Sequence, residues 1–368
     1  MNWDVVVVGA GLAGATAARI LAERDYSVLV VERLNHIGGH CYDYRDENGI
    51  TVHKYGPHIF HTNDENAWNF ANRFTEFEYY QHRVKSYVDG MYVPFPINRD
   101  TICQLYGTNI DSKEVRDFLK GEVEDSTFSN PPENFKDAVI SQVGDYLYKK
   151  FFEGYTKKQW GTDPENLSPG LAKRIPVRTN RDDRYFTDKY QGIPSKGYTA
   201  LVENMLEHEK ISILTGADFF EIKDGLSCDL TVYTGELDRF FDYKYGKLQY
   251  RSLELKLKTF EMEHYQPVSV VNYPGDYDWT RITEFKHFLK EGKGVNKTTV
   301  CFEYPKAEGE PYYIVPTNKN FERRAKYMKE VEHLENSRRY LFVGRLAEYK
   351  YYNMDQVISA VQQKISRY

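Results

Sequence analysis

Three glycines near the start of the chain have the spacing of a diphosphate-binding turn. Gly9, Gly11 and Gly14 follow a run of valines and precede a segment with the composition of a helix. Glycines at this spacing permit a tight turn, a close approach of the backbone to a diphosphate, and packing of the helix on the strand. Glu32 ends the next apolar run, 18 positions after Gly14, where a carboxylate can bind a ribose diol. The pattern predicts a dinucleotide site, the alternative being a glycine turn without a ligand.

A second pair of glycines indicates which dinucleotide binds. Arg33 is followed after four residues by Gly38 and Gly39. This pattern resembles the extended signature of one class of flavoproteins, and the glycines let the backbone reach a deeply placed cofactor. Gly344 and Arg345 precede the last predicted helix, whose N-terminal dipole would stabilise the charge of a reduced flavin. We therefore expect FAD, and no separate NAD(P)H domain because no second such motif follows a strand.

Four further segments are dense in imidazole, phenol, indole and guanidinium groups. They are residues 54–63 (KYGPHIFHTN), 154–161 (GYTKKQWG), 173–178 (KRIPVR) and 344–352 (GRLAEYKYY). Guanidinium forks and phenol hydroxyls suit a diphosphate, and aromatic faces suit a flat base. Taken singly, each group has a plainer interpretation. The plainer interpretations are core or turn residues for His58 and His61, core rings for Tyr155 and Trp160, and a solvated face for Arg174 and Arg178.

Hydrophobic periodicity and turn signals predict the elements that position these residues. Residues 4–32 predict a strand, a helix and a second strand in a sheet covered on both faces. Residues 84–93 alternate about an Asp-Gly pair and predict a hairpin. The other predicted elements are helices at 64–74, within 100–159, at 198–207 and 320–336, a long loop at 167–188, strands at 211–214 and 230–233 that return to the first sheet, an antiparallel sheet within 250–316, a strand at 340–344, and a final helix capped by Asn353.

Composition limits the class of protein. The chain has 368 residues, a net charge of −5 and 28% charged residues, which fits two or three folded domains. No apolar run approaches the ~20 residues of a membrane helix. We expect no signal peptide, because the first residues run directly into a predicted strand, and a pI near 6.1 gives no reason to expect nucleic acid as a partner. The cysteines form no CxxC pair, so we expect reduced, mostly buried thiols, no metal site and a cytoplasmic location.

Together the motifs resemble the bacterial UDP-galactopyranose mutase family. The four segments above and residues 191–198 (QGIPSKGY) follow one another as in that family, and the likeness runs nearly end to end. The resemblance implies an α/β fold with three parts and a usual homodimer. The implied parts are a discontinuous Rossmann-like FAD-binding domain at 1–80, 190–245 and 337–368, a helical domain at 100–185 with a mobile arginine loop at about 167–184, and an antiparallel β-sheet substrate domain at 81–99 and 246–336.

The resemblance also implies roles for individual residues, carried over position by position. Catalytic residues would be Arg174, Arg281, His58 and His61. Substrate-binding residues would be Phe151, Tyr155, Thr156, Trp160, Tyr185, Asn272, Tyr313, Tyr351, His82 and Asn353. Cofactor-binding residues would be Gly9, Gly11, Ala13, Gly14, Glu32, Arg33, Gly38, Gly39, His40, His58, Ile59, Gly344, Arg345, Tyr352 and Met354.

The implied activity is an isomerisation that interconverts the pyranose and furanose forms of a nucleotide-linked sugar, most simply UDP-galactose. It requires reduced FAD, whose N5 is the implied nucleophile at the anomeric carbon. His82, Pro57 and Asn353 depart from the pattern of many galactose enzymes, so UDP-N-acetylgalactosamine, dTDP-fucose and a UDP-pentose stay open as substrates. Two other classes also stay open: a flavin-dependent amine or alcohol oxidase, and a nucleotide-sugar binding protein without catalysis.

Overall fold

A computed structural model describes residues 2–174, 176–289 and 294–368, and of Lys173 and Arg174 the backbone only. The strands in this part of the chain are β1 Asn2–Val8, β2 Val28–Glu32, β3 Asp43–Arg45, β4 Thr51–His53, β5 Phe60–Thr62, β6 Phe77–Tyr79, β7 Val84–Val88, β8 Met91–Phe95, β9 Tyr190–Pro194, β10 Ile211–Thr215, β11 Ser227–Tyr233, β12 Tyr250–Phe260, β13 Val270–Asn272, β14 Arg281–Glu284, β15 Thr298–Lys306, β16 Tyr313–Ile314 and β17 Tyr340–Phe342.

The helices alternate with these strands or follow them in groups. They are α1 Leu12–Ala22, α2 Glu65–Asn72, α3 Arg99–Tyr106, α4 Ser112–Glu124, α5 Phe135–Tyr148, α6 Gly154–Trp160, α7 Gly197–Leu206, α8 Phe219–Ile222, α9 Leu237–Phe240, α10 Asn318–Asn336 and α11 Met354–Ile365. A π-helical turn, Lys149–Glu153, joins α5 to α6. None of these helices is long and apolar enough to cross a membrane.

A five-stranded parallel sheet forms the centre of the first part of the fold. Its order is β10, β2, β1, β11, β17, so the strands predicted at 211–214 and 230–233 do return to it. Residues 5–8 of β1 and all of β2 are buried, as expected for strands covered on both faces. Val7 pairs with Val30 on one side and with Val232 on the other. The Rossmann-like α/β prediction is therefore confirmed.

Helices α1 and α11 pack on each other and on this sheet. Residues 15–18 of α1 are almost all alanine or threonine and fully buried, which lets the helix lie close to β1. Helix α11 buries Val357, Ile358, Val361 and Ile365. Asn353 caps it in a reciprocal arrangement with Gln356, as predicted from the sequence.

The stretch from 96 to 189 contains helices and no strand among its described residues. Helices α3, α4 and α5 each begin at a capping Asn or Asp: Asn98, Asp111 and Asn134. In the predicted loop, Pro169–Arg174 forms a short 3-10 helix. Arg178, Arg181 and Arg184 have partners within the protein, in the Asp182 carbonyl, the Asp100 carboxylate and the Asp182 carboxylate.

A seven-stranded sheet forms the remaining large layer, in the order β16, β12, β15, β14, β13, β7, β8. The hairpin of β7 and β8 turns at Asp89 and Gly90, both in the left-handed region. The predicted antiparallel sheet is confirmed, with one parallel pair, β7 and β13, that the sequence did not predict. A small sheet of β5, β9 and β6 joins residues 60–62 to 190–194. The division into three domains stays a prediction.

Candidate functional site

A cavity of about 240 Å³ lies at the carboxyl ends of β1 and β2. In parallel sheets this is where ligands bind, at the edge where the strand order diverges. Most of the predicted cofactor-binding residues line it: Gly9, Gly11, Ala13, Glu32, Arg33, Gly38, Gly39, His40, His58, Gly344, Arg345, Tyr352 and Met354. Gly14 and Ile59 do not line it.

Two glycine turns meet at the floor of this cavity. Gly11 and Gly38 are bridged by backbone hydrogen bonding, and a Cβ placed on Gly39 would lie 2.9 Å from the Gly11 Cα. Gly9 has φ of 103°, and a Cβ there would lie 2.3 Å from Thr234 Oγ1. The turns therefore present bare backbone to the cavity. This cradle suits the diphosphate of a dinucleotide, which needs close approach to backbone N–H groups.

Gly14 serves packing. A Cβ on Gly14 would lie 1.8 Å from the Gly9 carbonyl oxygen, so only glycine lets α1 approach the end of β1. This is the third use that the glycine motif predicts.

The Glu32 carboxylate connects the first glycine turn to the segment that follows β2. Its Oε2 accepts a hydrogen bond from the Ala10 N–H at 2.7 Å, and its Oε1 accepts one from the Leu34 N–H at 2.8 Å. A carboxylate has about four acceptor positions, so two remain for the hydroxyls of a ribose. Arg33 donates from Nη2 to Glu310 Oε1 at 2.6 Å, which closes the rim of the cavity.

A second cavity of about 540 Å³ adjoins the first, because His40, His58, Arg345 and Met354 line both. Arg345 lies between them, with Nη2 donating to the Tyr352 carbonyl at 2.7 Å and the guanidinium over the Tyr351 ring. The predicted residues that line this cavity are Ile59, His61, His82, Phe151, Tyr155, Thr156, Trp160, Tyr185, Asn272, Arg281, Tyr313, Tyr351 and Asn353. The side chain of Arg174 lies outside the described residues.

Helix α6 carries the aromatic wall of this second cavity, and two cations hold it in place. Lys158 Nζ donates to the carbonyls of Tyr273 and Gly275, both at 2.7 Å, and also reaches those of Tyr277 and Trp279. Arg251 Nε donates to the Gln159 carbonyl at 2.9 Å, next to Trp160. The helix end is thereby fastened to the seven-stranded sheet.

Arg281 is one of the cations that line the second cavity. Its Nε lies 2.6 Å from Glu303 Oε1, and its Nη2 donates to the Tyr313 hydroxyl at 3.1 Å. Burial is the largest single influence and would lower the pKa of Arg281, but the charge and contact of fully buried Glu303, together with Tyr155 and Tyr313, outweigh it and raise that pKa. Burial raises the pKa of Tyr313 to about 12, so its hydroxyl keeps its proton. A fixed guanidinium beside a phenol hydroxyl is a donor set for phosphate oxygens.

Sequence reasoning assigned no role to three residues at or beside this cavity. Glu303 faces Arg281 across β14 and β15, Phe186 stacks on His61 with ring centroids 3.5 Å apart, and the Tyr312 ring stacks on His40. The adjacent Tyr185 and Tyr313 could have drawn attention to Phe186 and Tyr312. No sequence pattern indicated the contact of Glu303 with Arg281, because that contact depends on the register of β14 and β15.

Three histidines at the cavity walls, His40, His58 and His82, are neutral. Burial lowers the pKa of His40, His58 and His82 to about 3 in each case. His58 Nδ1 lies 2.9 Å from the Gly56 carbonyl and so must donate to it, which leaves Nε2 as an acceptor. Neutral His58 can accept a hydrogen bond from a ligand at the wall that both cavities share.

Because buried histidines are neutral in the folded protein, we expect the free energy of unfolding to fall at acidic pH. His53 and His82 are 1% and 5% exposed, and burial lowers both pKa values to about 3, whereas an unfolded histidine titrates near 6.5. Between these pH values the unfolded chain binds more protons, so the free energy of unfolding is undiminished above about pH 6.5 and falls as the pH drops toward 3.

Each of the two histidines is expected to contribute about 1.4 kcal/mol per pH unit to this loss. Urea unfolding at pH 7, 6 and 5 measures the slope, and H53Q should have a shallower slope by about one proton equivalent. Equal slopes for H53Q and the parent chain would show that His53 is not the cause.

A parallel sheet with a glycine cradle, beside a cleft of arginine and aromatic side chains, defines a dinucleotide-binding enzyme of Rossmann type. Comparison with known proteins narrows the class. A family model described as UDP-galactopyranose mutase matches residues 150–351, and one described as NAD(P)-binding Rossmann-like domain matches residues 7–74. The chain belongs to the UDP-galactopyranose mutase family.

Similar proteins cover nearly the whole chain. A probable UDP-galactopyranose mutase of Klebsiella pneumoniae is 39% identical over 97% of this chain and 92% of its own length. A dTDP-fucopyranose mutase of Escherichia coli is also 39% identical, over 96% of this chain and 95% of its own length. The crystal structure of a reduced UDP-galactopyranose mutase has a TM-score of 0.78, covering 100% of this chain and 96% of that one at 18% identity, which shows a shared fold.

Proposed function

We propose that this chain converts the pyranose form of a UDP-linked galactose into the furanose form and back. The observation that carries the proposal is the shared wall of His40, His58, Arg345 and Met354 between the glycine cradle and the cleft of Arg281. A cofactor in the first cavity and a nucleotide sugar in the second would meet there. Membership of the mutase family supports this activity.

FAD fits the first cavity, on the bare backbone of its glycine turns and the free acceptor positions of Glu32. Gly9, Gly11, Gly38 and Gly39 would hold the diphosphate, with Gly14 packing behind them. Glu32 would hold the ribose, and Arg33, Ala13, His40, Ile59, Gly344, Arg345, Tyr352 and Met354 would surround the rest. The chemistry that reduced FAD supplies when bound is a nucleophile for the anomeric carbon.

The second cavity would hold the nucleotide sugar by its two ends. We assign the base and its ribose to Phe151, Tyr155, Thr156 and Trp160, since aromatic faces suit a pyrimidine. The diphosphate is assigned to Arg174, Arg281, Tyr185, Tyr313 and Tyr351. Arg281 would stabilise the charge of the departing nucleotide. The sugar is assigned to His58, His61, His82, Asn272 and Asn353.

A second candidate substrate is dTDP-fucose, a 6-deoxy sugar on a different base. The relative named dTDP-fucopyranose mutase is as similar to this chain as the relative named probable UDP-galactopyranose mutase. His82 and Asn353, which depart from the pattern of many galactose enzymes, both line the second cavity.

A panel of nucleotide sugars tests both candidates. Purified protein reduced with dithionite is incubated with UDP-galactose, dTDP-fucose or UDP-N-acetylgalactosamine, and NMR identifies the products. We expect UDP-galactofuranose from reduced protein and none from oxidised protein, with dithionite not consumed in proportion to product. A higher kcat/KM with dTDP-fucose would select the second candidate. Peroxide release from an amine, with no ring contraction, would select an oxidase.

We also propose a homodimer in the cytoplasm. Cys41, Cys103, Cys228 and Cys301 are all free, although only Cys41 and Cys301 are buried, and free thiols support a reducing compartment. The dimer rests on the resemblance to the family. Light scattering after size-exclusion chromatography would measure the mass of the particle.

A further inference from the structure

One histidine of the second cavity is held differently from the others. His61 Nδ1 lies 2.7 Å from Asp188 Oδ2, and the Phe186 ring stacks on its face with an interplanar angle of 12°. Phe186 and Asp188 belong to the segment before β9, which pairs with β5 so that His61 faces Gln191. One short segment therefore fixes both the plane of the ring and one of its nitrogens.

Asp188 is itself oriented. Its Oδ1 accepts a hydrogen bond from Asn63 Nδ2 at 2.5 Å, and Asn63 Oδ1 accepts one from the Lys189 N–H at 2.9 Å. Gln191 Nε2 donates to the Asp188 carbonyl at 2.8 Å. These contacts fix the carboxylate from the side opposite the imidazole.

The pair decides which nitrogen of His61 carries the proton. A carboxylate accepts hydrogen bonds, so Nδ1 must donate to it. Nε2 is then the nitrogen left to exchange a proton with a ligand, with a lone pair in the neutral ring and a proton in the imidazolium. No described residue provides it with a partner, while the ring lines the second cavity at 12% exposure. Two other titratable side chains, His82 and Tyr185, also pack against the Phe186 ring. An imidazole whose orientation is set by a carboxylate on its other nitrogen is a typical general acid–base group.

We propose that Asp188 positions His61 to carry the proton that the sugar ring exchanges when it opens and recloses, an inference that rests on the proposed function. When the pyranose opens, the bond between the anomeric carbon and the ring oxygen breaks, its electron pair goes to the oxygen, and that oxygen takes a proton from Nε2 of the His61 imidazolium, which becomes the neutral imidazole. When the furanose closes, the Nε2 lone pair takes the proton of the 4-hydroxyl as its oxygen bonds to the anomeric carbon. One proton leaves and one returns, so the imidazolium beside Asp188 is restored.

The substitution D188N tests this role. An amide can satisfy Asn63 or the His61 Nδ1–H but not both, so the imidazole loses its fixed tautomer. We expect kcat to fall about 10²-fold, the size of a general acid–base contribution, with KM changed less than about twofold and the flavin absorbance retained. The control is D183N, a neighbouring aspartate whose contact is the exposed pair with Arg83, which should keep the parent kcat.

A double-mutant cycle separates positioning from general support of the fold. Because Asp188 acts through His61, H61A/D188N should be no slower than H61A alone. Effects of H61A and D188N that multiply would overturn the inference, as would a parent-like kcat in D188N. N63A keeps the Asp188 carboxylate and removes one hydrogen bond to it, so it should lower kcat a few-fold. If D188N does not fold, the kcat of N63A tests the positioning role of Asp188 in its place. If the parent chain converts no nucleotide sugar, the proposed function fails instead.

Discussion

Replacing Arg281 by methionine is expected to lower kcat/KM by about 10²–10³-fold, the usual cost of losing one preorganised donor to developing charge. Arg281 lies between the buried Glu303 carboxylate and the Tyr313 hydroxyl, and it lines the second cavity. Its side chain is 22% exposed. It therefore meets the ligand with its position already set. Steady-state kinetics of the reduced enzyme with UDP-galactose measures the effect.

Methionine at this position also leaves Glu303 buried without its cation. Removing one partner of a buried ion pair costs about 3–5 kcal/mol, so R281M should unfold at a lower temperature. The double variant R281M/E303Q removes the unpaired charge and should recover much of the stability but none of the activity. Turnover near that of the parent in either variant would remove Arg281 from the mechanism. Loss of activity in a variant that has also lost its flavin would not count as support, so absorbance is recorded for each.

Replacing Gly14 by alanine is expected to prevent formation of the cofactor cavity. The new Cβ would lie 1.8 Å from the Gly9 carbonyl oxygen, which is backbone and has no rotamer with which to avoid it. Helix α1 must then move away from β1 and from α11, and we expect a loss of more than about 4 kcal/mol together with loss of bound flavin. Absorbance near the flavin bands and thermal unfolding report both effects.

Gly121 offers a matched control for that substitution. It lies within α4, and a Cβ there would meet nothing within 4 Å. Glycine in a helix interior is less favourable than alanine by roughly 0.5–1 kcal/mol. G121A should therefore be slightly more stable than the parent and should show the same flavin absorbance. A G14A protein that retains flavin and the parent unfolding temperature would refute the packing role of Gly14.

Local patterns in the sequence were enough to predict most elements. The valine run, the glycine spacing and the Asp-Gly turn each lie within about a dozen residues, and the structure has β1, α1, β2 and the β7–β8 hairpin where these patterns predict them. Asn353 as a helix cap is likewise local. The close packing of Gly14 against the end of β1 was also predictable, because the glycine motif implies close contact between its helix and strand.

Contacts that depend on strand register could not be predicted from the sequence. Glu303 meets Arg281 only because β14 and β15 pair as they do, and nothing in the sequence of β15, where Glu303 is the one acidic residue, indicates that it is buried against a cation. Asp188 reaches His61 through the pairing of β5 and β9, across more than a hundred residues of chain. The parallel pairing of β7 with β13 has the same origin. The residues assigned through the resemblance came together in two cavities, but their individual roles stay predictions.

The order of the strands in the parallel sheet has a consequence for how the protein is made. β1, which is synthesised before the other strands of this sheet, lies between β2 and β11, and β11 in turn pairs with β17. Gly344, Arg345 and Met354, which close the cofactor cavity, come later still. Pairings so distant in sequence form slowly, and during synthesis the central strand must wait for its second neighbour with one edge unpaired. We therefore expect flavin to be captured only after residues 344–354 have been synthesised, and until then the unpaired edge of β1 is a site at which the nascent chain can aggregate.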